Sequence, residues 1–203
     1  MNAFESVSLA PLPMALRWLM PAPSWKADEH GLELSAAGAT DLFSDPAGGS
    51  PLANAPALIG PAPEGDFLFS ARVACAQRST FDAGVLLLYR DEQNWAKLCL
   101  ELSPQGEPTV VSVVTRGVSD DCNSFACERA ETFLRIARSD DCFALHASSG
   151  DGVWRLVRYF ALDGAGAVEI GFLAQSPTGD GCSARFEQIA FERRRLGDLR
   201  NGE

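Results

Sequence analysis

A net charge of −10 across 203 residues excludes the basic footprint that nucleic acids and anionic membranes demand of a partner. A hydrophobic share of 46% beside 22% charged residues is that of a globular chain, long enough to bury a large core without disulfide help. Two histidines and no Cys-x-x-Cys pair leave little from which to build a metal site, so neither metal nor cofactor is expected.

The first twenty residues, MNAFESVSLAPLPMALRWLM, lack a basic start, and Glu5, Pro11 and Pro13 interrupt them. This is not the pattern of a signal peptide. No run reaches the roughly 18 consecutive apolar residues of a membrane span. The expected compartment is therefore the cytosol, where the six cysteines stay as thiols. Cys122 and Cys127, five apart, could bridge if oxidised.

GLELSA at 31–36 is the first predicted strand. Residues 37–66 are rich in Gly, Pro and Ala and show no strand pattern, so they read as one long loop, functional or mobile. Strand-like runs then follow at 67–75, 83–90, 95–102, 109–116, 132–138, 142–148, 154–160, 168–175 and 184–192, with no helical periodicity anywhere. The links DEQN, SPQGEP, SDD and SGDGV are short and made of turn residues, which implies meander connections. About ten strands at this spacing predict an all-β fold, a two-sheet antiparallel β-sandwich forming a single domain over 1–203. Its core is expected at about 15–192, between an N-terminal arm and a polar, solvated C-terminal tail.

Side chains alternate across a strand, and the alternation here is uneven. Ala96, Leu98, Leu100 and Leu102 make a core face, while Trp95, Lys97, Cys99 and Glu101 share the other. Ser112, Arg135, His146, Ser148 and Gln175 fall on comparable partly polar faces of their own strands. Charges mixed with Trp, Cys and Val suggest a half-buried groove built on the 95–102, 109–116, 132–138, 142–148 and 168–175 strands. The competing reading is a structural ladder of paired charges beneath the 37–66 loop.

Several blocks carry a resemblance: TDLFSDP, FDAGVLLLYRDEQNWAKLCLE, VVSVVTRGVSDDCNS, LRIAR, HASSGDGVWRLVRYF and GFLAQSPTGDGC. In this order they resemble the family of unknown-function domains that includes the yeast regulator-of-enolase protein, over residues 15–200. The resemblance implies a concanavalin A-like lectin/glucanase jelly roll. It further implies that Asp41, Trp95, Lys97, Glu101, Ser119, Asn123, Arg135, Trp154, Arg158, Gln175 and Ser176 line or support a concave face, without assigning any of them a role.

The expected function is binding of a sugar-like or sugar-phosphate small molecule. Trp95 would supply a platform, and Lys97, Glu101, Asn123, Arg135, His146 and Gln175 the polar contacts. A protein-interaction or regulatory module of carbohydrate metabolism is the alternative, with a protein partner held by the groove or the 37–66 loop. Glycoside hydrolysis needs two carboxylates flanking the bond. The 95–102 strand offers only Glu101, with Asp82 or Glu169 the remaining candidates, and no catalytic residue is assigned. Asp41, Asp45, Asp120 and Asp121 lack the spacing of a calcium loop, and 176–182 lacks the phosphate-loop pattern.

Overall fold

The computed structural model describes residues 6–164 and 166–203. Among them sixteen strands form and no helix: Arg17–Met20 (β1), Trp25–Asp28 (β2), Gly31–Ala37 (β3), Leu42–Phe43 (β4), Leu52–Ala53 (β5), Ala57–Pro61 (β6), Phe67–Cys75 (β7), Ala83–Asp91 (β8), Asn94–Leu102 (β9), Pro108–Arg116 (β10), Val118–Ala126 (β11), Glu131–Ser139 (β12), Cys142–Ser148 (β13), Arg155–Ala161 (β14), Glu169–Gln175 (β15) and Gly181–Glu192 (β16).

Two seven-stranded antiparallel sheets result. The first runs β1-β6-β15-β8-β9-β10-β11, and the second runs β14-β13-β12-β7-β16-β3-β2. The expected meanders are present as β8 to β11 in the first sheet and β12 to β14 in the second. Their turns are tight. Gly117 alone links β10 to β11 at φ 76, and Asp140 takes φ 53 in the two-residue turn between β12 and β13. Gly and Asp are the residues that reach this left-handed region at least cost.

The core lies between the inner faces. Leu86, Leu88, Ala96, Leu98, Leu100, Val110, Ile170 and Phe172 of the first sheet meet Leu34, Phe69, Val73, Leu134, Ile136, Leu145 and Phe186 of the second. Phe172 is the knot of this layer, with ring centroids 5.3 Å from Phe69 and 4.8 Å from Phe186. Such edge-on and tilted pairs add about 0.5–1.5 kcal/mol each beyond burial. β15 and β6 approach closely at Gly171, where a Cβ would stand 2.0 Å from the Leu58 carbonyl oxygen.

Four expectations need correction. The 37–66 segment is not strandless: β6 sits inside the first sheet, buried on both faces at Ala57, Leu58 and Ile59, so it has no alternation to read. The same segment supplies the β4–β5 hairpin. Residues 118–126 fell outside the predicted strand runs, yet they form β11, which pairs with β10 over its whole length as an exposed edge strand. The C-terminal residues are not a solvated end, because Leu196 is buried and packs with Leu199 against Leu68, Ala137 and Ala144. Val7 and Leu9 likewise join the main core rather than forming a loose arm.

Candidate functional site

The outer face of the first sheet is a lattice of rows. In-register pairing places Glu169, Tyr89, Trp95, Thr115 and Ser119 in one row. The next holds Gly171, Leu87, Lys97, Val113 and Asp121, and the third Leu173, Val85, Cys99, Val111 and Asn123. The fourth holds Gln175, Ala83, Glu101 and Thr109. Between Gln175 and Glu101 stands only the methyl of Ala83. Gln175 therefore reaches across it, its Nε2 lying 3.5 Å from Glu101 Oε2.

The β4–β5 hairpin lies over this lattice. Leu42 and Phe43 pack on Tyr89, Trp95, Cys99, Val111, Val113 and Leu173 as a second apolar cluster. Ser44 and Ser119 tie the hairpin to β11: the Ser44 N–H donates to Ser119 Oγ and the Ser119 N–H to the Ser44 carbonyl, both at 2.9 Å. Asp41 enters with the hairpin. Its Oδ1 accepts from the Leu42 N–H at 2.7 Å and from Lys97 Nζ at 3.2 Å.

Lys97 is thus sealed at 1% exposure. Nζ donates to Asp41 and, at 2.9 Å, to Gln175 Oε1, and lies 5.7 and 5.9 Å from the Trp95 and Phe43 ring centroids. Burial alone would lower its pKa, but Asp41 leads the charges that outweigh it and hold the ammonium above its ordinary range. Glu101 responds oppositely. Burial first, moderated by Lys97 and reinforced by Asp41 and Asp121, pushes its carboxyl up to about 7. Burial likewise pushes the Cys99 thiol up.

The structure brings together Lys97, Glu101 and Gln175, adds Asp41, and sets Trp95 beneath the hairpin. At 1% exposure Trp95 is a floor residue and offers no stacking platform. Asn123 stands on the same face and is exposed. Asp121, which contributes to the Glu101 environment, is exposed beside it. Ser112 does not belong here: it pairs with Leu98 and faces the core, where its hydroxyl has no partner.

Arg135 and His146 are elsewhere. They lie on β12 and β13 of the second sheet, on the face turned away from the first, so the expected five-strand groove does not exist. Both hold the C-terminal segment. Arg135 donates to the Gly202 carbonyl at 2.8 Å and stacks 4.2 Å from the Trp154 ring centroid. His146 Nε2 meets the Leu199 carbonyl at 2.7 Å, and since a carbonyl only accepts, Nε2 carries the proton. Burial, ahead of the opposing Leu199 bond and the Arg135 charge, lowers His146 to about 4.

The other carboxylates are occupied. Asp82 is fully buried and accepts from Ser176 Oγ at 2.6 Å and from the Arg78 and Ser79 N–H groups. Glu169, three rows from Glu101, pairs with Arg17 at 2.6 Å. Asp45 accepts from the Ala47 N–H and Asp120 pairs with Arg158, so the four aspartates considered for calcium do not converge. Among the described residues no group of three or more metal-ligating side chains forms. All six cysteines are free, Cys122 and Cys127 included.

These features define a concanavalin A-like β-sandwich with a polar cluster buried on the outer face of its first sheet, beneath the β4–β5 hairpin. The chain belongs to the family described as Protein of unknown function (DUF1349), which matches residues 18–194. It is similar to a functionally unknown protein from Saccharomyces cerevisiae at 20% identity and a TM-score of 0.79, covering 89% of this chain and 97% of that one. The carbohydrate binding module CBM66 from Bacillus subtilis aligns at 15% identity and a TM-score of 0.54, covering 86% and 94%. The GH43 BlXynB protein from Bacillus licheniformis aligns at 14% identity and a TM-score of 0.68, over 88% of this chain but only 37% of that one. At these identities the likeness is one of fold. No curated protein matches.

Proposed function

We propose that this chain binds a neutral, polyhydroxylated small molecule, a sugar, on the outer face of the first sheet beside the β4–β5 hairpin. Glu101 and Asn123 contact the ligand, while Lys97 and Gln175 position Glu101 from behind. The observation that carries the reading is the buried cluster of alternating donors and acceptors: Asp41 to Lys97, Lys97 to Gln175, and Gln175 toward Glu101. A buried acceptor, Glu101, on the same face as an exposed amide, Asn123, suits a polyhydroxylated ligand, whose hydroxyls donate and accept at once. Sandwich relatives that include a carbohydrate binding module support the class of ligand.

Charge selects within that class. One ammonium, Lys97, faces Asp41, Glu101 and Asp121, so a phosphate would meet net repulsion. Asp41, the carboxylate fixed beside Lys97, is engaged by Lys97 and by the Leu42 N–H, which favours binding over hydrolysis.

A thermal-shift and calorimetric panel of xylose, arabinose, glucose and galactose, with glucose 6-phosphate and inorganic phosphate alongside, tests this. A neutral sugar at about 100 times its Kd stabilises by roughly 2.7 kcal/mol, lost in Asn123→Ala. Response to the phosphate compounds alone refutes the charge argument. Silence across the panel removes the sugar reading and returns weight to a regulatory module with a protein partner.

A further inference from the structure

A cleft lies apart from the outer face of the first sheet. It forms at the end of the sandwich, where the chain leaves β11 and crosses to β12, and it encloses about 650 Å³, within the range of small-molecule sites. Phe125 and Phe133 line it, and both are half-buried, so each keeps ring surface free. Phe133 pairs across strands with Arg72. Arg72 donates to Glu187 at 2.6 Å and also to Glu131, which fixes its guanidinium plane. Arg155 is fixed in the same way by Asp151 at 2.7 Å.

Arg129 differs from these two. Its nearest carboxylate, Glu131, is 3.9 Å away and already serves Arg72, and its side chain is 80% exposed. Three guanidiniums and two carboxylates, Glu128 and Glu131, therefore line one cleft, and of the guanidiniums Arg129 is the one loosely engaged.

Each part of this arrangement has a chemical counterpart. A half-buried aromatic wall takes the apolar face of a saturated ring. The fixed Glu131–Arg72 pair presents an acceptor beside donors, matched to neighbouring hydroxyls. A loosely engaged guanidinium such as Arg129 takes a planar carboxylate through two parallel hydrogen bonds. We infer that this cleft is a binding site for a saccharide bearing a carboxylate, of the uronic acid class, with Arg129 on the carboxylate and Phe133 against the ring.

The test is an amide-shift titration of the isotope-labelled chain with glucuronate and, separately, with glucose, whose ring differs only at that carboxylate. Glucuronate should shift residues 125–133 and 149–155 and bind at least about ten-fold more tightly than glucose, the scale of one charge-assisted bond. Arg129→Gln should erase the preference, and Phe133→Ala should erase binding of both, with the remaining spectrum unchanged. Glucuronate that leaves the cleft residues still, binds no better than glucose, or ignores Arg129→Gln overturns the inference. Shifts confined to the 94–102 strand overturn it too, while leaving intact the reading of a site on the outer face of the first sheet.

Discussion

Replacing Glu101 by Gln should make the protein more stable, and increasingly so as pH rises. The carboxyl titrates at about 7 in the folded chain against 4.5 ordinarily, with burial the leading cause. An acid with a raised folded-state pKa keeps its proton after the unfolded chain has released it. The folded state then binds more protons, and stability falls as pH climbs from about 4.5 through about 7. Integrating that difference, ionisation of Glu101 costs roughly 1 kcal/mol near pH 5 and about 3 kcal/mol near pH 8. Gln has the same shape and never ionises, so the advantage of the variant should grow by about 2.5 kcal/mol between those conditions. For a chain of this size that is a widening of the Tm gap by about 5–10 °C. Urea and thermal unfolding of both proteins at the two pH values read this directly. His146, held at about 4, acts with the opposite sign: its contribution is present above its ordinary 6.5 and is lost as pH falls toward about 4. The wild-type curve alone is therefore a sum, and the difference between the two proteins isolates Glu101. A gap that stays constant from pH 5 to pH 8 refutes the reasoning, because it would mean that Glu101 ionises freely in the folded chain.

Three further outcomes follow from the same contacts. Lys97→Met strands Asp41 beneath the hairpin and should cost about 3 kcal/mol in urea unfolding, with most of that recovered in the Lys97→Met, Asp41→Asn double variant. Arg135→Ala removes the Gly202 bond and the Trp154 stack, so limited proteolysis should cut within residues 196–203 well before the sheets unfold. Gly171→Ala forces a Cβ into the Leu58 carbonyl and should destabilise by about 3 kcal/mol, read as a loss of hydrogen-exchange protection in β6 and β15.

The strands legible in the sequence were runs of β-branched, aliphatic and aromatic residues bounded by turn residues, including β8 and β15, which are buried on both faces. β9 was read correctly down to its faces, because Ala96, Leu98 and Leu100 enter the core while Lys97 and Glu101 do not. Among the strands that escaped, two show why. β6 is buried on both sides between β1 and β15, and its Gly60 and Pro61 look like loop residues. β11 is exposed on most of its length, and Ser119 to Ser124 carry the composition of a turn. Sheet membership was not legible at all. Periodicity gives the face of a strand but not its sheet, and the crossing between Ala126 and Glu131 sends Arg135 and His146 to the far side of the molecule. Asp41 drew notice in the sequence, but its partner Lys97 lies 56 residues away, a pairing that only the hairpin's path creates.

The position of the last two strands bears on how the chain acquires its shape. β15 fills the gap between β6 and β8, and β16 fills the gap between β7 and β3, so both sheets are closed by residues 169–192. Until those residues are made, four strands present open edges to their surroundings, the arrangement that invites pairing with other chains. β3 and β16 must also meet across almost 150 residues, the Ser35–Ser183 pair being one example. Long-range closure of this kind sets a slow folding rate. During synthesis neither sheet can thus be completed before residues 169–192 are available, however early the other strands are made.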